Sequence, residues 1–385
     1  MWRVVTCALT SRIESTSHQP ASPSTPTAMA GDTDTEAPHV VEDCRGVLQV
    51  LSDGTTVRSA AAPYAVEDRD DGRVEWRDAV YHPAHGLGVR MYRPPRREGK
   101  GPLPLLAYFH GGGFCIGSRA WPSVHACCLR FAHELPAVVL SFDYRLAPEH
   151  RLPAAHEDAA IALAWLRDRL TGMTPGLADG SGSDEDVRAW LAGSGADPGR
   201  LFVSGDSAGA NIAHHMVARF GAAGAGLGSV RIAGYVLIMP AFTSEAPTQS
   251  ELSSRGTAFL SRDVAERYSR LALPAGANKD YPLMNPLGPD SPGLVVVGGR
   301  VLVVVGGRVL VVVGGEDMLK DNQVRYAERM KAVGNDVELV VFDGKEHGFF
   351  SRDPWSETGG EVVRVVRRFM DRDAADLVQP ADGQH

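Results

Sequence analysis

The pentapeptide Gly205-Asp206-Ser207-Ala208-Gly209 offers the clearest nucleophile in this 385-residue chain. A serine hydroxyl attacks a carbonyl only when it is exposed and a base stands beside it. A sharp strand-to-helix turn presents it that way, and the turn is so tight that the flanking residues must be small. The apolar run 201–204 predicts the strand before the turn. Residues 210–220 predict the helix after it, whose N-terminal amides face developing negative charge. The same spacing also fits a plain structural turn. The strand–turn–helix context favours the nucleophile.

Acyl transfer also needs donors for the oxyanion. His110-Gly111-Gly112-Gly113-Phe114 directly follows the apolar run 105–109. Three glycines let backbone amides approach a substrate oxygen without Cβ hindrance. The candidate donors are the amides of Gly111, Gly112 and Gly113, with Gly112 and Gly113 preferred, joined by Ala208 just after the nucleophile. A flexible glycine turn is the rival reading. The motif's place upstream of the serine, in the order of a lipase-type oxyanion loop, argues against it.

Hydrolases built this way present Ser, then an acid, then His along the chain. Beyond the helix that follows Ser207 the histidines are His347 and His385. His385 sits in a polar tail. His347 follows the apolar run 337–342 in a loop, where a mobile imidazole belongs. Asp317 ends another apolar run and is the candidate acid, holding the His347 tautomer and stabilising its imidazolium. Glu316 and Asp321 compete, but Asp321 suits the first turn of a following helix.

These residues need a scaffold. Apolar runs at 105–109, 138–142, 201–204, 235–239 and 337–342 alternate with helical patterns at 159–170, 211–220, 322–333 and 362–370. Such alternation predicts an α/β fold with a mostly parallel sheet covered by helices on both faces. Two stretches break the pattern, 40–80 and 241–275, and are expected to form a lid. In the second, Ser261 is placed to cap a helix bearing Val264, Tyr268 and Leu271 on one face. Residues 172–199 read as a surface loop. The expected organisation is an extension over 1–37, one domain over 38–375 and a tail over 376–385.

One pattern is unusual. Leu-Val-Val-Val-Gly-Gly occurs at 294–299, 302–307 and 310–315. Local rules read hairpins with Gly-Gly turns. The core needs one copy as a strand, and the third leads straight into Glu316-Asp317. Uncharged Val-rich runs without a pairing place are an aggregation hazard.

Composition narrows the field. The chain is 44% hydrophobic and 22% charged, with a net charge of -8. An acidic surface argues against nucleic-acid or anionic-membrane partners. The five cysteines are odd in number and lack metal-ligand spacing, which suits reduced thiols and a cytoplasmic protein. No run is long and apolar enough to suggest a membrane span. Residues 1–28 are rich in Ser, Thr and Pro. A plastid transit peptide and an extension with translation starting at Met29 both fit. No metal or organic cofactor is called for, the expected partner is a small ester, and oligomeric state is unreadable.

Taken together, four segments resemble the plant carboxylesterase family, within the hormone-sensitive-lipase-like group. They are the His110–Phe114 motif, Asp143-Tyr144-Arg145-Leu146-Ala147-Pro148-Glu149-His150, the Ser207 pentapeptide, and Glu346-His347-Gly348-Phe349. The resemblance spans about residues 40–370. It implies an eight-stranded α/β-hydrolase core, an N-terminal lid, and triad roles for Ser207, Asp317 and His347. It also implies that 144–150 braces the oxyanion loop. The opening Val41-Glu42-Asp43-Cys44-Arg45-Gly46-Val47-Leu48 resembles a branch acting on small hormone-like esters or lactones, strigolactones among them. In the family the strand before the acid occurs once, so the extra Val-rich copies depart from it. Two rival functions come with the resemblance. Gibberellin receptors share the scaffold but lack the triad histidine, and His347 is present here. Dehydratases on this scaffold tend to carry Thr at the nucleophile position, where this chain has Ser207. Phe114, Trp121, Phe349 and Phe350 are candidates to line an apolar pocket.

Overall fold

The five apolar runs expected as strands lie in one sheet. The computed structural model describes residues 37–95, 101–172, 183–220, 226–291, 296–297, 300–301 and 308–376. The extension, the tail beyond 376 and most of the first two Val-rich copies lie outside the described residues. Everything below concerns the unit His39–His385.

In chain order, β1 (Val40–Cys44), β2 (Leu48–Leu51) and β3 (Thr56–Arg58) form a small antiparallel sheet of their own. There follow β4 (Glu75–His82), β5 (Leu87–Arg93), β6 (Leu103–Phe109), α1 (Pro122–Glu134), β7 (Val138–Phe142) and α2 (Ala154–Thr171). Next come α3 (Ser183–Ser194), β8 (Ala196–Asp206), α4 (Ala208–Phe220), β9 (Ile232–Ile238), α5 (Gln249–Leu252) and α6 (Arg262–Ala272). The chain continues through β10 (Val296–Val297), β11 (Arg300–Val301), β12 (Arg308–Gly314), α7 (Lys320–Ala332), β13 (Val337–Phe342), α8 (Phe349–Arg352) and α9 (Glu357–Asp376).

The main sheet has eight strands in the order β13-β12-β9-β8-β6-β7-β5-β4. β5 pairs antiparallel with both β4 and β7, and the other neighbours pair in parallel. This is an α/β-hydrolase architecture. Strand alternation sorts the core into two layers. Leu105, Ala107 and Phe109 pack on one face with residues of α2, α4 and α7. Leu106 and Tyr108 pack on the other with residues of α1 and α9. Central strands are covered on both sides, which is why β7 and β12 are continuous apolar runs. β13 lies at the edge, with Val341 exposed and Glu338 paired to Arg368 and Arg372 of α9.

The third Val-rich copy is the one that enters the sheet, as β12 between β9 and β13. The described part of the first copy pairs instead with the two residues before the second, Val296 with Val301 and Val297 with Arg300. Ser261 caps α6, its hydroxyl accepting from the Val264 amide at 3.5 Å.

Three segments differ from expectation. The stretch 40–80 does not stay outside the sheet: its end is β4, the edge strand, whose pairing with β5 outweighs a weak pattern. Residues 172–199 are not only loop, because α3 and the start of β8 fall there. Val187, Trp190 and Leu191 of α3 are buried at helical spacing, a stripe masked by the surrounding Gly, Ser and Asp. Helix α1 went unread, although Pro122 at its start and buried Val124, Cys127, Cys128 and Phe131 give it the same signature.

Between α2 and α4 lie three histidines, His156 and His214 buried and His215 half-buried. His156 Nε2 meets Asn211 Oδ1 at 3.0 Å and His214 Nδ1 meets the Tyr326 hydroxyl at 2.9 Å. The His215 ring lies against both, centroids 4.9 and 4.8 Å away. Burial pushes His156 down to about 4 and His214 to about 3, and His215 is lowered further by its neighbours.

Candidate active site

Ser207 sits between β8 and α4 with φ +52°, in the left-handed region a side chain normally avoids. The backbone holds it there. The Ser207 amide donates to Ile238 O at 2.9 Å, and Ala241 N–H donates to Ser207 O at 2.9 Å. The flanking glycines are obligatory. A Cβ on Gly209 would lie 1.9 Å from Phe109 O, and one on Gly205 would lie 2.3 Å from Gly209 C. Small residues at these positions let α4 press against the end of β6.

The Gly-rich loop after β6 meets this turn. Gly112 and Gly113 have φ +119° and +60°. A Cβ on Gly113 would lie 2.4 Å from the Tyr268 ring. Asp206 ties the loop down: its Oδ1 accepts from Gly111 N–H at 2.9 Å and from the Tyr108 hydroxyl at 2.7 Å. Gly111's amide is therefore already committed, which removes it from the candidate oxyanion donors. Among the described residues the amides of Gly112, Gly113 and Ala208 have no protein acceptor. The role of Asp206 was missed in the sequence, where it is only the variable position of the pentapeptide. The 144–150 segment does touch the loop. The Tyr144 hydroxyl donates to His110 O at 2.8 Å, and Ala147 N–H donates to Phe114 O at 2.9 Å.

His347 and Asp317 complete the arrangement. His347 Nε2 is 2.9 Å from Ser207 Oγ, and His347 Nδ1 is 2.8 Å from Asp317 Oδ2. Asp317 is 1% exposed and His347 5%. Two further donors converge on the carboxylate. Leu319 N–H reaches Oδ1 at 2.9 Å and Gln323 Nε2 reaches Oδ2 at 2.9 Å. Gln323 also donates to Pro240 O at 3.2 Å and is fully buried. Nothing in its sequence setting marks it, since a Gln in a helix is usually solvated.

Asp317 and not its competitors meets the imidazole. Asp321 stands in the first turn of α7, accepting from Ser250 N–H at 2.8 Å. Glu316 supplies its amide to Lys345 O at 2.9 Å, which ties the acid's loop to the base's loop. Gly314 permits the approach, for a Cβ there would lie 2.5 Å from Lys345 O. Behind His347, Gly348 N–H donates to the Met239 sulfur at 3.2 Å. His214 and His215 also follow Ser207 in the chain, but both belong to α4 and contact Tyr326, Phe242 and His156 and not this line.

Ser207 and His347 open into a cavity of about 100 Å³. Its wall is largely apolar, with Phe114, Trp121, Leu260, Met284 and Leu319 among the lining residues. Arg45, Tyr64 and Tyr268 reach it from the two stretches that break the strand–helix alternation. Phe349 and Phe350 do not line it. They pack in the core against Phe342 and Phe131, centroids 5.4 and 5.2 Å apart. Among the described residues no cluster of three or more His, Cys, Asp or Glu is placed to hold a metal, and no helix is long and apolar enough to cross a membrane.

Residues 106–351 match a family model described as the alpha/beta hydrolase fold. A 2-hydroxyisoflavanone dehydratase of Glycyrrhiza echinata is 33% identical over 353 residues, 90% of this chain and 99% of that protein. A probable carboxylesterase 6 of Arabidopsis thaliana is 34% identical, over 64% of this chain and 70% of that one. The chain belongs to the plant carboxylesterase family of α/β-hydrolases. Among solved structures, the esterase of the archaeon Pyrobaculum calidifontis resembles this family member at TM-score 0.60 and 30% identity. That match covers 78% of this chain and 86% of the esterase.

Proposed function

We propose that the protein is a serine carboxylesterase for small esters, working through an acyl-enzyme on Ser207. Family membership supports hydrolysis of esters in general. The observation that carries the finer reading is the unbroken line of contacts Ser207–His347–Asp317, ending at a cavity beside three amides without protein acceptors. Ser207 attacks the ester carbonyl while His347 Nε2 takes its proton, and Asp317 stabilises the imidazolium. The amides of Gly112, Gly113 and Ala208 receive the oxyanion. Collapse of the tetrahedral intermediate expels the alcohol, protonated by His347. Water activated by the same imidazole then releases the acid. The largely apolar cavity beside Ser207 suits small acyl groups, acetyl to butyryl. Small hormone-like esters or lactones fall within this chemistry.

The test is hydrolysis of p-nitrophenyl acetate and butyrate by the purified chain beside Ser207→Ala. We expect turnover by the parent and a loss on the order of 10⁶ in kcat for the variant. Retention of activity within ten-fold would refute the assignment. A folded parent without turnover would favour a ligand-binding protein on the same scaffold.

A second reading has its own support, because the dehydratase relative aligns over 90% of the chain. His347 would then abstract a proton, and the same amides would polarise a carbonyl. Water elimination from a 2-hydroxyisoflavanone, with no cleavage of either ester, would establish that reading instead.

A further inference from the structure

The acyl-transfer chemistry leaves one part of the cavity unused. Tyr64, Ser123 and Ser351 bring three hydroxyls into the space that Ser207 opens on. They come from three separate segments, the connection between β3 and β4, the first turn of α1, and α8. All three residues line the cavity together with Ser207, Gly111 and His347. Ser123 is 2% exposed and Ser351 9%. The Ser351 hydroxyl donates to Gly348 O at a long 3.3 Å. Convergent hydroxyls in an apolar wall cost free energy unless their remaining bonds are made.

We propose that Tyr64, Ser123 and Ser351 form a recognition site for an uncharged oxygen of the substrate, a hydroxyl, ether or carbonyl separate from the ester that is cleaved. This rests on the esterase reading and deepens it. Charge decides between a neutral oxygen and a carboxylate. Asp206 lines the same cavity, and the group of three hydroxyls contains no cation. Arg45 also lines the cavity, but its guanidinium already donates to Phe259 O and stacks 4.0 Å from the Phe259 ring centroid. A carboxylate bound among these hydroxyls would meet the Asp206 charge with no cation in the group itself. A neutral oxygen gains the phenol donor without that repulsion. Burial raises Tyr64 above the ordinary tyrosine value, so the donor persists at neutral pH.

The test is a ratio of specificities. One pair of esters is p-nitrophenyl methoxyacetate and p-nitrophenyl butyrate, equal in length and differing by one ether oxygen. A second pair, 4-(hydroxymethyl)phenyl acetate and 4-ethylphenyl acetate, moves the oxygen to the alcohol side. Comparing each kcat/KM ratio in the parent, Tyr64→Phe and Ser123→Ala cancels the intrinsic reactivity of the esters. We expect Tyr64→Phe to lower the oxygenated-to-plain ratio about 5- to 10-fold in one pair, with Ser123→Ala moving it the same way. Ratios within about two-fold of the parent in both pairs, where the parent is active and Ser207→Ala is not, overturn the site and leave the esterase reading standing. If instead the parent cleaves neither ester, the esterase reading fails. The site is then judged by calorimetric binding of the same pairs to Ser207→Ala, where equal affinities overturn it and tighter binding of the oxygenated member supports it.

Discussion

Replacing Asp317 by Asn separates the charge of the acid from its geometry. Every neighbour of this carboxylate is a donor: His347 Nδ1 and Gln323 Nε2 at Oδ2, and Leu319 N–H at Oδ1. An asparagine amide must therefore turn its NH₂ toward at least one donor. Facing Leu319 produces one donor–donor contact and lets His347 keep a proton on Nδ1, with Nε2 free to accept from Ser207. Facing His347 and Gln323 produces one with Gln323 and moves the imidazole proton to Nε2, which removes the base as well. What disappears is the negative charge beside the imidazolium. At about 4 Å and an effective dielectric constant near 20, that charge is worth about 4 kcal/mol, or about 10³ in rate. The donor left against Leu319 costs a further ~1–3 kcal/mol of stability. The assay is kcat on p-nitrophenyl butyrate beside a thermal melt. We expect kcat down about 10³-fold, KM nearly unchanged and a lowered Tm. Loss of less than ten-fold in a folded variant would show that the Asp317 charge does not stabilise the imidazolium.

Other outcomes follow from the same geometry. Gly113→Ala places a Cβ 2.4 Å from the Tyr268 ring at φ +60°, so kcat should fall at least ten-fold and the melt should drop; an unchanged kcat and melt would show that the loop and the Tyr268 ring accommodate the methyl without displacing the amide. The buried histidines set a pH dependence. His156 and His214 are held neutral, at about 4 and about 3 against an ordinary value of 6.5, so the unfolded chain takes up protons first as pH falls. Their effect on stability is absent above about 6.5 and grows as pH falls toward 4 and 3; denaturant melts that stay flat from pH 7 to 5 would contradict their burial. Deleting residues 294–301 halves the connection 292–307 between Ser291 and β12. It should add about 0.6 kcal/mol of stability and leave kcat/KM within a few-fold, and loss of activity would mean that the first copy supports the fold.

Legibility tracked how local each signal was. β6, β7 and β12 are mostly buried, largely apolar runs whose composition alone names them, and Ser207 stands in a turn whose constraints lie within five residues. His347 and Asp317 were reachable by chain order, because each ends a strand. Helix α3 was hidden by Gly, Ser and Asp around a stripe of three apolar residues. β4 was hidden because an edge strand carries polar residues. The functions of Asp206, Gln323 and Met239 were not legible, since each depends on a partner brought close only by the fold: Gly111, Asp317 and Gly348 are 95, 6 and 109 residues away. Gly111 looked equivalent to its two neighbours until the Asp206 contact set it apart.

The strand that carries the acid has a twin. Arg-Val-Leu-Val-Val-Val-Gly-Gly stands at 300–307 and again at 308–315, residue for residue. As far as the sheet is concerned, the two are translationally degenerate: either presents the same side chains to β9 and β13. Slipping by one repeat would set Arg308 and Val309 where Glu316 and Asp317 belong, giving a sheet with the same pairing and no carboxylate beside His347. What lifts the degeneracy lies outside the strand, in the hydrogen bonds of Asp317 and the burial of Met318 and Leu319. On the proposed mechanism Asp317 would thereby also act as a register mark, and activity would become a readout of which copy was chosen. In such a chain a weakened acid does two things at once: it slows each correctly threaded molecule, and it loosens the preference that makes molecules thread correctly.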